Sequence, residues 1–271
     1  MKRHQRNRIL GGALLACFFG AALAGRIWTP CDPMRIDLRS KLQAPDATHW
    51  LGTDEFGRDV LSRLMTAAGT SVSISLVTVC IAVLAGVSFG VLAGYARGWT
   101  DRVIMAFNDA LLAFPSMLLA LALLSITGAN MYGIILALGI AYTPSMVRVV
   151  RGSVLSLRER EFIEASRIMG NSAAYTMFRH IVPNCLGPVI VLATSMFGSV
   201  LLTESALSFL GLGVPPPAPT WGNMLASGRP HIAEAVWLGI FPGLCISLSL
   251  LGINLFGDAI RDRFDPRMRG L

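Results

Sequence analysis

Lysine is nearly absent from this chain. Only Lys2 and Lys41 occur among its 271 residues, and neither follows a glycine-rich turn. A P-loop needs a lysine there to reach the nucleotide phosphates, so nucleotide hydrolysis is not written into these residues. Charge of either sign is scarce, at 14%, against about a quarter in a soluble globular domain. The four histidines, His4, His49, His180 and His231, stand far apart, no HExxH pattern occurs, and the GxSxG match at Gly86–Gly90 lies inside an apolar run. That run is not the strand-to-helix turn the pattern needs, and without a base or metal motif beside it an intramembrane enzyme lacks its usual signature. Five cysteines are present without a CxxC pair. Cys17, Cys80 and Cys245 fall in apolar runs and Cys185 at the edge of one, which leaves Cys31 alone in a polar stretch with no partner near it in sequence. Neither a disulfide framework, nor a metal site built from this chain alone, nor a cofactor is expected.

What is present is apolar length. Hydrophobic residues make up 54% of the chain, and a bilayer crossing needs about 20 of them in a row. Six stretches qualify or come close: Ile9–Gly25, Ser71–Tyr95, Val103–Gly128, Met131–Val147, Leu186–Phe209 and Ala235–Phe256. The class is all-α, a polytopic membrane protein with six transmembrane helices. The first stretch is short. Its basic head and Ala22-Leu23-Ala24 look like a secretory signal, and Leu14-Leu15-Ala16-Cys17 looks loosely like a lipoprotein signal. Because further spans follow, an uncleaved anchor is expected.

Arginine placement orients the spans, since basic residues resist translocation. With the N-terminus inside, sixteen of the 23 basic residues fall on the inner side, in the head, at Arg97 and Arg102, from Arg148 to Arg179, and from Arg261 to Arg269. Most of the other seven share one long outer loop with Asp32, Asp37, Asp46, Asp54, Glu55 and Asp59. Both termini inside is self-consistent. The net charge of +7 follows from this topology, and a nucleic-acid partner need not be invoked.

The chain divides into an anchor and outer segment (1–70), a five-span core (71–260) and an inner tail (261–271). Two polar insertions are too long to be simple turns, and such insertions suit partners. In the outer one, Thr53 is a candidate N-cap with Asp54 and Glu55 in the first turn. Phe56, Val60, Leu61 and Leu64 follow at helical spacing. An amphipathic surface helix is expected before the second span, serving as scaffold or as a contact for a docked partner.

The inner insertion, residues 157–184, reads LREREFIEASRIMGNSAAYTMFRHIVPN. Its first half is a helix former with Phe162, Ile163, Ala165, Ile168 and Met169. Gly170 breaks it in the manner of a left-handed cap. Asn171 or Ser172 caps a second helix carrying Tyr175, Phe178, Ile181 and Val182 on one stripe, and Pro183 ends it and opens the fifth span. A compact helix–glycine–helix elbow is either a knob for a groove on another protein or a hairpin tying two spans together at the membrane surface.

Glu164-Ala165-Ser166, then Gly170, then His180-Ile181-Val182-Pro183 resembles the EAA loop of ABC import permeases. Ser166 stands for the second alanine and Val182 for the usual leucine, both mild departures. Three further stretches resemble the peptide/nickel branch of that family: HWLGTDEFGRDVLSRL (His49–Leu64), ESALSFLGLGVPPPAPTWGNML (Glu204–Leu225) and NLFGDAIRDRFDPR (Asn254–Arg267). The resemblance is closest to the second, C-type permease of dipeptide, oligopeptide and nickel importers. It implies a type I ABC importer permease fold and an elbow that couples to an ATPase subunit through Glu164, Ala165, Ser166, Gly170, His180 and Pro183. Implied partners are a homologous permease, two ATPase subunits and an external solute-binding protein, with membrane lipid around them. The implied cargo is a short peptide, with nickel, free or chelated, as the alternative.

Charges inside a span ask for a reason. Asp109 in the third span and Glu204 near the outer end of the fifth are candidates for the translocation path or gate, or else for structural pairs. The run Gly211–Trp221, rich in glycine and proline, is expected to be an outer loop or re-entrant turn.

Overall fold

Ten α-helices account for most of the computed structural model, which describes residues 2–264, with side chains from 9 to 262. The side chains of Lys2, Arg3, Arg6 and Arg8, and the tail from residue 265 with Arg267 and Arg269, lie outside the described residues. No β-strand occurs among the described residues; one isolated bridge joins Thr53 and Asp59.

The long helices are α1 (Lys2–Ile27), α2 (Val60–Ala96), α5 (Met131–Arg158), α8 (Val182–Phe209) and α10 (Trp237–Phe264). Each contains a window apolar enough to cross a bilayer. A sixth crossing is counted only if α3 (Gly98–Leu112) and α4 (Ser116–Thr127) form one span, and these two meet at a bend of 92°. The expected third span, Val103–Gly128, is therefore a helix pair bent at Pro115. Pro115 removes a backbone donor and pushes Phe114 out of the helical region. At twelve residues, α4 is only about 18 Å long. The preceding α3 is amphipathic. Asp101 and Asp109 bond arginines of α5, while Trp99, Val103 and Phe107 recur every fourth residue on a face exposed away from the protein.

The second span begins eleven residues earlier than expected, because the anticipated surface helix is its first part. Thr53 is not a cap. Its hydroxyl accepts from Gln43 N (2.8 Å) and donates to the Ser40 carbonyl. The Asp54 carboxylate holds a turn through Phe56 N and Arg58 N, both at 2.9 Å. Asp59 caps α2 instead, accepting from Ser62 N at 2.8 Å.

The interior contains two apolar clusters. One joins α1 through Phe18 and Ala22 to the start of α2, Trp221 and α10. The other joins the rest of α2 to α4, α5, the elbow and α8. Here Gly86, Gly90 and Gly94 of α2 face Met146, Val150 and Val154 of α5. A Cβ on Gly90 would stand 2.7 Å from Val150 Cβ, so the two helices touch at backbone distance. Close approach at small residues is the main source of helix association where lipid is as apolar as leucine.

The faces sort cleanly. The ends of α2 and α5 meet the elbow on one face, where Arg158 Nη1 donates to the Tyr95 carbonyl at 2.7 Å and Arg97 pairs with Glu159 at 2.8 Å. On the opposite face the Trp237 indole donates to the Thr53 carbonyl (3.1 Å) and the Trp221 indole to the Leu64 carbonyl (3.2 Å). These bonds join the starts of α9 (Trp221–Gly228) and α10 to the outer segment.

Candidate functional site

The elbow is built from α6 (Glu161–Ile168), a glycine turn, α7 (Ala173–Thr176) and a π-helical turn (Met177–Ile181) that runs straight into α8. The turn is a Schellman motif. Asn171 N donates to the Ser166 carbonyl (3.2 Å) and Gly170 N to the Arg167 carbonyl (3.0 Å), with Gly170 at φ +77°. That conformation satisfies the last carbonyls of α6 and strongly favours glycine. Of the two candidate caps for the second helix, Ser172 serves, accepting from Tyr175 N at 3.2 Å. Pro183 stands in the first turn of α8, as expected, but does not interrupt the chain of helical turns before it. The π turn ahead of it widens the ladder where the proline would otherwise clash with a carbonyl one turn back, and elbow and span become one rod, Ala173–Phe209.

Ser166 and Thr176 hold the two arms together. Their hydroxyls lie 3.1 Å apart, both buried, and Asn171 Nδ2 donates to Ser166 Oγ at 3.2 Å. The serine that departs from the EAA pattern thus makes a bond an alanine cannot. Ile163 and Ile181 are fully buried in the second apolar cluster and root the elbow there. The guanidinium groups of Arg158 and Arg167 each stand 5.7 Å from the centre of the Tyr95 ring, a cation–π brace. His180 is half-buried, with its ring edge-on to Tyr175 at 5.7 Å and to Phe162 at 6.4 Å. Glu164, Ala165 and Pro183 are exposed. At the tip, Ile168 and Met169 are each 80% exposed and Phe178 is 72% exposed. The elbow is thus rooted and braced at its base and carries large exposed apolar side chains at its tip.

The two acids expected within spans are placed apart. Asp109 pairs with Arg148 at 2.7 Å, and both are more than half exposed. The pair ties α3 to the side of α5. Nearby, Arg151 grips both oxygens of Asp101, at 2.6 and 2.7 Å, in a more sheltered pair that the sequence reading did not single out. Glu204 is fully buried. Its carboxyl accepts from Ser208 Oγ (2.8 Å) and Ser71 Oγ (3.4 Å), joining α8 to α2. The loop after α8 and the start of α9 pack tightly beside it: a Cβ on Gly213 would lie 2.5 Å from Ser208 Cβ, and one on Gly222 2.6 Å from it. In this conformation Glu204 presents no surface to a passage. As expected, the chain from Gly211 to Thr220 is non-helical, while Trp221 begins α9 behind a Thr220–Asn223 capping box.

Cys31, solitary in sequence, lies beside His49 and Asp59, and one ligand atom from each falls within a 4.8 Å set. Residues 18 and 28 positions away in sequence carry no local signal of that meeting.

Comparisons with known proteins agree with this architecture. The family described as "binding-protein-dependent transport system inner membrane component" matches residues 86–270. The dipeptide transport system permease protein DppC of Alkalihalophilus pseudofirmus is 40% identical over 270 residues, covering 99% of this chain and 89% of that protein. The di/tripeptide transport system permease protein DppC of Pseudomonas aeruginosa is 44% identical over 230 residues, covering 85% and 76%. The glutathione transport system permease protein GsiD of Pectobacterium atrosepticum is 40% identical over 227 residues, covering 84% and 75%. Among solved structures, the inward-facing MetNI methionine ABC transporter matches with a TM-score of 0.57 at 18% identity, over 72% of this chain and 93% of that one. An amino acid ABC transporter crystallised with histidines matches with a TM-score of 0.51 at 16% identity, over 78% and 93%. At that identity the structures speak for the fold alone, which is that of ABC importer permeases. With the family matched over residues 86–270 and a relative 40% identical over 99% of this chain's length, the chain belongs to the binding-protein-dependent transport system inner membrane components, the permease subunits of ABC importers.

Proposed function

We propose that this chain forms one half of the translocation pathway of an importer for short peptides, working with a homologous permease, two ATPase subunits and an external solute-binding protein. The observation that carries the coupling role is the elbow tip. Ile168, Met169 and Phe178 stand in solvent on a base locked by Ile163, Ile181 and the Ser166–Thr176 bond. Such a knob fits a cleft on an ATPase subunit. Because α7 runs unbroken into α8, displacement of the tip is carried along a rigid rod into the bundle. ATP-driven closure of the ATPases then reopens the bundle outward, an alternating-access cycle. Glu204, at the far end of that rod, is assigned as a latch that holds α2 and α8 together on the outer side until the bundle opens. Asp109 is assigned to hold α3 in place. The elbow face is the cytoplasmic one, with both termini on that side of the inner membrane, since Arg97, Arg102 and the arginines from Arg148 to Arg179 gather there.

The cargo follows the relatives, whose names specify dipeptide, di/tripeptide and glutathione transport and not nickel. The test is reconstitution of the complete transporter in vesicles with labelled dipeptide or labelled nickel outside. ATP-dependent accumulation of dipeptide supports the proposal. Accumulation of nickel alone overturns the cargo, and no ATP-dependent uptake of either overturns the transport scheme as drawn.

A further inference from the structure

On the face opposite the elbow, three side chains from distant positions converge beside the first turn of α2. Cys31, His49 and Asp59 each offer one ligand atom, and these atoms lie within 4.8 Å of one another. They line a cleft of about 490 Å³ whose wall also holds Asp32, Arg35 and Asp37. We propose that Cys31, His49 and Asp59 bind a single divalent transition-metal ion, zinc being the best chemical match, and so staple the outer segment to α2.

The three ligands are held in place before any metal arrives. Cys31 N donates to Ser62 Oγ at 3.0 Å, and the Cys31 carbonyl accepts from Thr29 Oγ1 at 2.8 Å. His49 N donates to Asp46 Oδ1 at 2.6 Å. The Asp59 carboxylate spends Oδ2 on Ser62 N and Ser62 Oγ, at 2.8 and 2.6 Å. That leaves Oδ1 facing His49 Nδ1 at 3.0 Å. In a tetrahedral zinc site with bonds of about 2.0–2.3 Å, ligand atoms stand roughly 3.3–3.6 Å apart. The histidine and aspartate are already near that edge length. The longest separation needs to close by about 1 Å, within the reach of a side-chain rotation.

The donor set selects the ion. One sulfur, one imidazole and one carboxylate suit zinc and its neighbours in the first transition row. Calcium and magnesium call for oxygen throughout. Three protein ligands leave a fourth position for water from the cleft. A hydrogen-bond network alone accounts for His49 and Asp59 but gives the thiol no role. Burial, and after it the Asp59 carboxylate, push the Cys31 thiol up, with Arg35 opposing. A dication between sulfur and carboxylate reverses that repulsion. On binding, the sulfur–hydrogen bond is exchanged for a sulfur–metal bond and the proton leaves to solvent. No oxidation state changes. The proposal rests on this cleft and not on the cargo.

The test uses the purified full-length chain in detergent, stripped with a chelator and titrated with cobalt(II), then with zinc(II). One equivalent of cobalt should bind with a sulfur-to-cobalt charge-transfer band in the near ultraviolet, and zinc should erase the band. Cys31→Ser should abolish it. His49→Gln and Asp59→Asn should weaken binding at least about tenfold, the scale seen even for residues that only support a ligand; asparagine keeps the helix cap. A chain with Cys17, Cys80, Cys185 and Cys245 replaced by alanine should keep the band. As an independent readout in the unaltered chain, zinc should protect Cys31 from maleimide, located by peptide mapping, and fail to do so in His49→Gln. Absence of the band, an equal band in Cys31→Ser, or equal maleimide labelling with and without zinc overturns the proposal.

Discussion

Replacing Gly170 with valine isolates the conformation of the elbow from its packing. Gly170 sits at φ +77°, and a Cβ there would meet nothing within 4 Å. Sterics with neighbours therefore contribute nothing, and the cost is confined to the backbone. For an L-residue in the left-handed region that cost is about 1–2 kcal/mol, a factor of roughly 5–30 in the population of the folded turn. The Schellman bonds from Gly170 N and Asn171 N are what the strained turn gives up. The elbow then frays at its tip while Ile163 and Ile181, buried deeper, stay seated. The variant should insert normally, retain its ATPase subunits poorly during purification and lose most ATP-driven uptake. Gly170→Asn should recover most of the loss, because asparagine tolerates the left-handed region, and Gly170→Ala should fall between. Valine behaving as wild type, or asparagine failing as badly as valine, refutes the argument: the first denies that the conformation matters, the second assigns the defect to side-chain bulk.

The other predictions concern the bundle and its orientation. Gly90→Ala places a Cβ 2.7 Å from Val150 Cβ and 2.9 Å from the Val147 carbonyl. It should cost about 1–3 kcal/mol by overpacking, seen as a lower Tm in detergent, and Val150→Ala in the same chain should recover part of it. Glu204→Leu leaves the buried hydroxyls of Ser71 and Ser208 without their acceptor, a loss of about 1–3 kcal/mol, whereas Glu204→Gln should unfold close to wild type; equal Tm values for the two would contradict the latch. A cysteine at Ser172 should react with an impermeant maleimide only in permeabilised cells, and one at Ser40 in intact cells. Labelling of Ser172→Cys from outside would reverse the topology and remove the elbow from the ATPase side.

Some features were legible because they are local or cumulative. Apolar runs of bilayer length need no partner to be recognised, so the long crossings were visible. Gly170 announced its turn because few other residues take that conformation readily, and Ser172 was one of two caps within reach. Where the deciding contacts are distant, sequence pointed to the wrong residue. Thr53 reads as a good cap ahead of an apolar helical stretch, but its hydroxyl is occupied by Ser40 and Gln43, and Asp59 caps the helix. The glycines at 86, 90 and 94 did carry a signal, a spacing of four that marks close helix contact in membranes, but their partners on α5 are not named by it.

By itself, then, the sequence determined the helical membrane class, the basic side of each span and the elbow with its glycine hinge, since each depends on composition or on residues a few positions apart. Tertiary structure alone decided the rest. It turned α3 aside at Pro115 to pair its acids with Arg148 and Arg151, buried Glu204 beside the loop after α8, and brought Cys31 to His49 and Asp59. Those outcomes depend on groups tens to more than a hundred residues apart meeting at bonding distance. Only the packed chain sets such distances.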